Sequence, residues 1–149
     1  DLKIDDITAR FAANYAPERA GPELPFPGVV AVCAHACKIG GKNVIVTHRS
    51  RSGTERLLAA NNMQRYFVGW LTADDGYARK PDPAAFTEAM RLHNLRREET
   101  LTVGDRDIDI EAGRAAGVFT VRFGADRAEA KADLTIQDFS SLQSVLAPI

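Results

Sequence analysis

The run Leu101-Thr-Val-Gly-Asp-Arg-Asp-Ile-Asp-Ile110 constrains this chain more than any other stretch. Hydrophobic residues and a β-branched Val lead into Gly104. Two carboxylates four apart, Asp105 and Asp109, follow, and a helix-like segment then runs to Gly117. The pattern predicts a buried strand that delivers acids to its carboxyl end, where open α/β sheets hold their ligands. Carboxylates at the mouth of such a strand suit a hard, oxygen-preferring cation such as Mg2+. Without a cation the two acids would repel one another.

The rest of the chain repeats the alternation. Ile4, Ile7, Phe11 and Tyr15 share one helical face, and Pro17, Gly21, Pro22, Pro25, Pro27 and Gly28 make a stiff connector. Val29, Val32, Cys33, Ala36 and Cys37 predict a helix stopped at Gly40-Gly41. Residues 42–47 read as a buried strand, 48–53 as a polar loop, 54–62 as a helix and 66–72 as a short strand. Asp74-Asp75-Gly76 reads as a turn, and Asp82-Pro83 opens a helix that reaches His93 with Phe86, Ala89 and Met90 inward. A strand at 100–104, a helix at 107–116, strands at 118–122 and 134–136, and a last helix capped by Asp138 complete the order. Strands alternating with helices predict an α/β fold with a doubly wound, parallel, Rossmann-like sheet covered on both faces.

Bulk properties exclude several classes. A net charge of −1 gives no pull toward nucleic acid or an anionic membrane. No apolar run approaches the roughly 18 residues of a membrane helix. Two cysteines make no disulfide framework, which points to a reducing cytoplasm. Cys33-Ala-His35-Ala-Cys37 resembles a metal motif only in composition: on a helix the cysteines lie on the apolar stripe and His35 points away from it. Gly40-Gly41-Lys42 lacks the spacing of a phosphate-binding loop and precedes a strand.

Three strand ends offer chemistry. Thr47 closes one strand and leads into His48-Arg49, Lys80 precedes a helix start, and Asp105 and Asp109 close another strand. A parallel sheet with right-handed crossovers gathers these ends on one edge. A hydroxyl, an ammonium and two carboxylates together suit a phosphoryl group: Thr47 donates to an oxygen, Lys80 neutralises charge, and the acids hold Mg2+. His48 and Arg49 follow Thr47 in the loop expected to face substrate. Singly, each residue has an ordinary alternative, namely a strand-end threonine, a surface lysine and acids in the first turn of a helix. The combination in order favours the site.

These segments carry a resemblance. A hydrophobic strand ending in Thr47, then Lys80-Pro81-Asp82-Pro83, then Gly104-Asp105-Arg106-x-x-Asp109-Ile110 resemble motifs II, III and IV of the haloacid dehalogenase-like hydrolases. Order and spacing are similar to the phosphoglycolate phosphatase and β-phosphoglucomutase branch. The resemblance covers residues 26–149, the α/β core; residues 1–25 look like the end of a helical cap and its return linker. It implies that Thr47 and Lys80 bind the transferring phosphoryl group, that Asp105 ligates Mg2+ with Asp109 beside it, and that an aspartate attacks phosphorus to form an aspartyl-phosphate that water hydrolyses. The implied activity is a phosphoric monoester hydrolase acting on a small phosphorylated metabolite, as a monomer or homodimer.

The family's Asp-x-Asp motif is expected on a first strand at the sheet centre, between the strands of Thr47 and Asp105. Asp5-Asp6, Asp74-Asp75 and Asp105-Arg106-Asp107 are poor substitutes by position. The chain, which starts at Asp1, is therefore expected to be part of a longer protein and to be inactive by itself. The alternatives are a phosphosugar mutase on the same core, a degenerate member that binds without catalysing, and a partner chain that supplies the first strand.

Overall fold

The computed structural model describes residues 22–125, 129–146 and 148. The helix expected around Ile4–Tyr15 and the first part of the connector lie outside them. Helix α1 (Val29–Lys38) leads to strand β1 (Asn43–Val46), α2 (Arg51–Ala60), β2 (Phe67–Leu71), α3 (Ala84–His93), β3 (Leu101–Gly104), α4 (Asp107–Ala116), β4 (Phe119–Phe123), β5 (Leu134–Ile136) and α5 (Ser140–Gln143). Every paired strand is parallel, as expected for an α/β order.

Local signals account for most boundaries. Ser50 caps α2, its hydroxyl accepting the Gly53 N–H at 3.1 Å. That cap starts α2 at Arg51, three residues earlier than the sequence reading of a loop through Gly53. The Asp82 carboxylate takes the Ala84 N–H at 2.8 Å at the start of α3. Asn94, at φ 51°, closes α3 in the left-handed conformation that asparagine tolerates. Cys37, expected inward, is exposed; it sits in the last turn of α1, with its sulfur 3.5 Å from the Tyr66 carbonyl.

The sheet is divided. Among the described residues β1 pairs only with β2, while β3, β4 and β5 form a second unit in that order, and no strand joins β1 to β3. Side-chain alternation along β1 sends Ile45 to one face, against Cys33, Leu58 and Met63, and Val44 and Val46 to the other, against Leu71, Ala85 and Ala89. Helices hold the two units together. α1 packs Cys33 toward β1 and Val32 against Val121, Ile136 and Leu142 of the second unit. On the opposite face Met90 of α3 meets Ala116 at the end of α4 and Val118 beyond it.

Burial follows the pairing. β4, flanked on both sides, has Thr120 and Val121 fully buried and Arg122 only 3% exposed. No residue of β1 is fully buried, and Val103 of β3 is 36% exposed. A strand at the centre of a sheet covered on both faces is ordinarily dry on both sides. Neither β1 nor β3 is dry in that way, although exposure is not confined to them: Val68 of β2 is 52% exposed.

The connector crosses this frame. Phe26 packs its ring tilted against Phe123 and stacked near Phe139, with centroids 4.8 and 6.4 Å away. Glu23 is held twice: its carboxylate pairs with Arg49 at 2.7 Å, and its carbonyl accepts from the Asn61 amide at 2.9 Å.

Candidate active site

The ends of β1, β2 and β3 bring Thr47, His48, Lys80, Asp105 and Asp109 toward one edge, as the topology requires. At its centre is the Lys80 ammonium. Its side chain is 6% exposed; Nζ donates to Asp109 Oδ1 at 2.6 Å and to the Val46 carbonyl at 3.2 Å. Lys80 thus spans the division in the sheet, with one contact on β1 and the other on α4. A buried ion pair stands only when geometry and further hydrogen bonds offset desolvation, and both are present here.

Asp109 is more an anchor than an open ligand. Besides Lys80 on Oδ1, its Oδ2 accepts the Arg106 backbone N–H at 3.3 Å, with the Arg106 guanidinium 3.7 Å away. Gly104 makes room for it: a Cβ there would lie 2.8 Å from Asp109 Cγ and 2.9 Å from Oδ2. Only glycine permits the carboxylate to lie this close to the strand end.

Asp105 is exposed, and its carboxylate makes no hydrogen bond among the described residues. Its backbone is fixed from below. Arg122, buried at the end of β4, donates to the Asp105 carbonyl at 3.3 Å, to Asp107 Oδ1 at 2.6 Å and to the Ala130 carbonyl at 2.8 Å. Among the described residues no three His, Cys, Asp or Glu side chains gather closely enough to hold a metal. The donor chemistry nevertheless suits Mg2+ in part: Asp105 offers a free carboxylate, with Asp109 beside it.

Thr47 continues β1, its N–H donating to the Leu71 carbonyl at 2.9 Å. Its Oγ1 accepts the Arg49 N–H at 3.1 Å, which leaves the hydroxyl hydrogen free to donate outward. His48 Nε2 accepts the Lys80 backbone N–H at 3.1 Å. Burial, then the positive charges of Lys80, Arg79 and Arg106, lower the His48 pKa, with Asp109 acting in the opposite sense. The Arg49 guanidinium, expected toward substrate, is taken up by Glu23 instead, and Arg49 acts at the site through its backbone N–H. Thr47, His48, Arg79 and Lys80 line a small cavity of about 110 Å3 at the ends of β1 and β2.

Sequence reasoning missed the supports of this edge. The loop after β2 is stapled to the loop after β1: Asp74 accepts the Arg51 N–H at 2.7 Å, and Asp75 pairs with the Arg51 side chain at 2.7 Å. Asp75 also accepts the Thr72 N–H at 2.6 Å, and that bond, followed by the Arg51 one, holds its carboxyl below the usual carboxylate range. The Thr72-x-x-Asp75 spacing is a capping-box signal that could have been read. An arginine inside Phe119-Thr-Val-Arg-Phe123 was the corresponding signal for Arg122.

The chain is similar to known proteins. The profile of the haloacid dehalogenase-like hydrolases matches residues 6–123. The chain is 32% identical over 148 residues to a phosphoglycolate phosphatase of Mesorhizobium japonicum, covering 96% of this chain and 65% of that protein. It is 30% identical to a plasmid-borne phosphoglycolate phosphatase of Cupriavidus necator, covering 96% and 64%. It spans slightly less than two thirds of the length of these curated relatives. A solved structure from Haemophilus somnus, described as a predicted phosphoglycolate phosphatase, superposes with a TM-score of 0.86 at 21% identity, covering 97% of this chain and 68% of that one. The chain belongs to the haloacid dehalogenase-like hydrolases.

Proposed function

We propose that this chain carries the phosphoryl-binding half of a Mg2+-dependent, cytoplasmic phosphatase that hydrolyses a small phosphorylated metabolite. The observation that supports it most is the buried Lys80, joined to Asp109 at 2.6 Å beside the strand end of Thr47. An ammonium has three N–H groups, and two are used internally. The third, with the Thr47 hydroxyl, serves to hold phosphoryl oxygens and to stabilise charge as the P–O bond breaks.

Asp105 would hold Mg2+, with Asp109 supporting it directly or through water; when bound, the cation neutralises phosphoryl charge. The nucleophile has no candidate among these residues. An aspartate on a strand seated between β1 and β3 would fill that role, and it would also pair the two strands that flank the division. Its carboxylate would attack phosphorus as the P–O bond to the substrate alcohol breaks, the second acid of the Asp-x-Asp motif would give the alcohol its proton, and water would then cleave the acyl-phosphate to orthophosphate and restore the carboxylate. The named activity of the curated relatives favours a phosphatase over a phosphosugar mutase. Their substrate carries a carboxylate as well as a phosphate, and the cations Arg79 and Arg106 near His48 suit such an anion.

The test is hydrolysis of a generic aryl phosphate by this chain joined to an N-terminal strand that supplies the nucleophile. Lys80→Ala and Asp105→Ala should each lower kcat by about a hundredfold or more. Near-normal turnover in either variant would show that the assigned role is wrong.

A further inference from the structure

We propose that His48 is a positioning residue for Lys80: its neutral imidazole, protonated on Nδ1, accepts the Lys80 backbone N–H at Nε2 and fixes the loop that aims the ammonium. The inference rests on the phosphoryl-transfer reading for its consequence in turnover, but not for the structural coupling itself.

The geometry decides the tautomer. A backbone N–H can only donate, so Nε2, 3.1 Å away, must present its lone pair, and the proton of the neutral ring sits on Nδ1. Nδ1 makes no hydrogen bond among the described residues. The bond joins residues 32 apart in sequence and ties the loop after β1 to the loop before α3. Lys80 is the residue on which both loops converge, because its ammonium also takes the Val46 carbonyl of β1. His48 therefore holds the backbone of the residue whose side chain spans the two units of the sheet.

Protonation would undo this arrangement. An imidazolium has no acceptor, so Nε2–H would face the Lys80 N–H donor to donor. The new charge would also stand among Lys80 and Arg79 of the loop before α3 and Arg106 of the β3–α4 loop, with Asp109 as the opposing charge. Burial and these cations favour the neutral ring, which places the transition below the ordinary histidine value of about 6.5. The sign follows: the Lys80 loop is held above the His48 pKa and released as pH falls through it.

Two measurements test the proposal. In the 149-residue chain, long-range 1H–15N correlation should show the Nδ1–H tautomer of His48 at neutral pH. The Lys80 amide resonance should shift with the same midpoint as His48, and that shift should vanish in His48→Gln, whose amide oxygen reaches the Nε2 position without titrating. An Nε2–H tautomer, or a Lys80 amide that titrates identically in His48→Gln, would overturn the proposal. In the chain joined to a strand that supplies the nucleophile, the acidic limb of kcat/KM for an aryl phosphate should flatten in His48→Gln. His48→Leu should lose kcat more than KM, and His48→Gln should recover most of that loss. Equal losses in both variants would also overturn it. Absence of phosphatase turnover in that extended chain would refute the functional reading and leave the resonance test to decide this one.

Discussion

Removing the Asp109 carboxylate should be among the most damaging single changes in this chain. The Lys80 and Asp109 side chains are 6% and 9% exposed, so solvent screens their interaction little. Asp109→Ala leaves a buried ammonium with the Val46 carbonyl as its remaining acceptor among the described residues. Breaking a buried pair in this way costs about 3–5 kcal/mol, a large share of the roughly 5–15 kcal/mol that stabilises a domain. At this chain length each kcal/mol moves Tm by about 2–4 °C. Asp109→Asn keeps an oxygen near Lys80 Nζ and forfeits only the charged character of the bond, so its cost should be near 1.5–3 kcal/mol. The double variant Lys80→Met/Asp109→Leu removes both charges and should recover most of the loss. Urea unfolding followed by circular dichroism, with m-values checked for constancy, measures all three. The reasoning fails if Asp109→Ala costs under about 0.5 kcal/mol, the scale of an ordinary surface change, or if the double variant is no more stable than the single.

Other perturbations probe neighbouring links. Gly104→Ala should push the Asp109 carboxylate off its seat and cost about 1–3 kcal/mol by overpacking; a melt like the parent's would show that the seat has slack. Arg122→Leu removes the donors that fix the Asp105 carbonyl and Asp107, and should cost about 2–4 kcal/mol while weakening Mg2+ binding measured by calorimetry. Asp75 has a folded pKa below its unfolded value, through the Thr72 N–H first and Arg51 second. The stability it contributes is therefore present above the unfolded carboxylate pKa near 3.9 and lost as pH falls through the folded one. Asp75→Asn should flatten that part of the acid-unfolding curve, and an unchanged curve would remove Asp75 from the account.

Much of this was legible because the motifs are local. Leu101–Gly104, followed by a helix over Asp107–Ala116, sits where hydrophobic run, glycine and acidic first turn placed it. Thr47, Lys80 and Asp109 converge because parallel strands leave their carboxyl ends on one edge. The division between β1 and β3 coincides with the place where the family's first strand was expected. What escaped was set by partners distant in sequence. Arg49 reads as a substrate-facing cation until Glu23, 26 residues away, is seen to take its guanidinium. His48 reads as a loop residue facing substrate until its acceptor is found on the Lys80 backbone. Asp109 reads as an open carboxylate beside the metal, and only the fold shows that Lys80 and Arg106 each engage one of its oxygens. Periodicity and spacing give no access to such pairings, because a side chain's partner depends on how loops from separate units meet.

The central claim is that Thr47, Lys80 and Asp105 form a phosphoryl-transfer site that needs an aspartate-bearing strand between β1 and β3. Aryl phosphate turnover with Mg2+ tests it most directly, measured on the 149-residue chain alone and on the same chain carrying an added N-terminal strand that ends in Asp-x-Asp. The account predicts background rates for the first and Mg2+-dependent turnover for the second that Lys80→Ala abolishes. Equal turnover by the chain without the added strand, unaffected by Lys80→Ala, would contradict it.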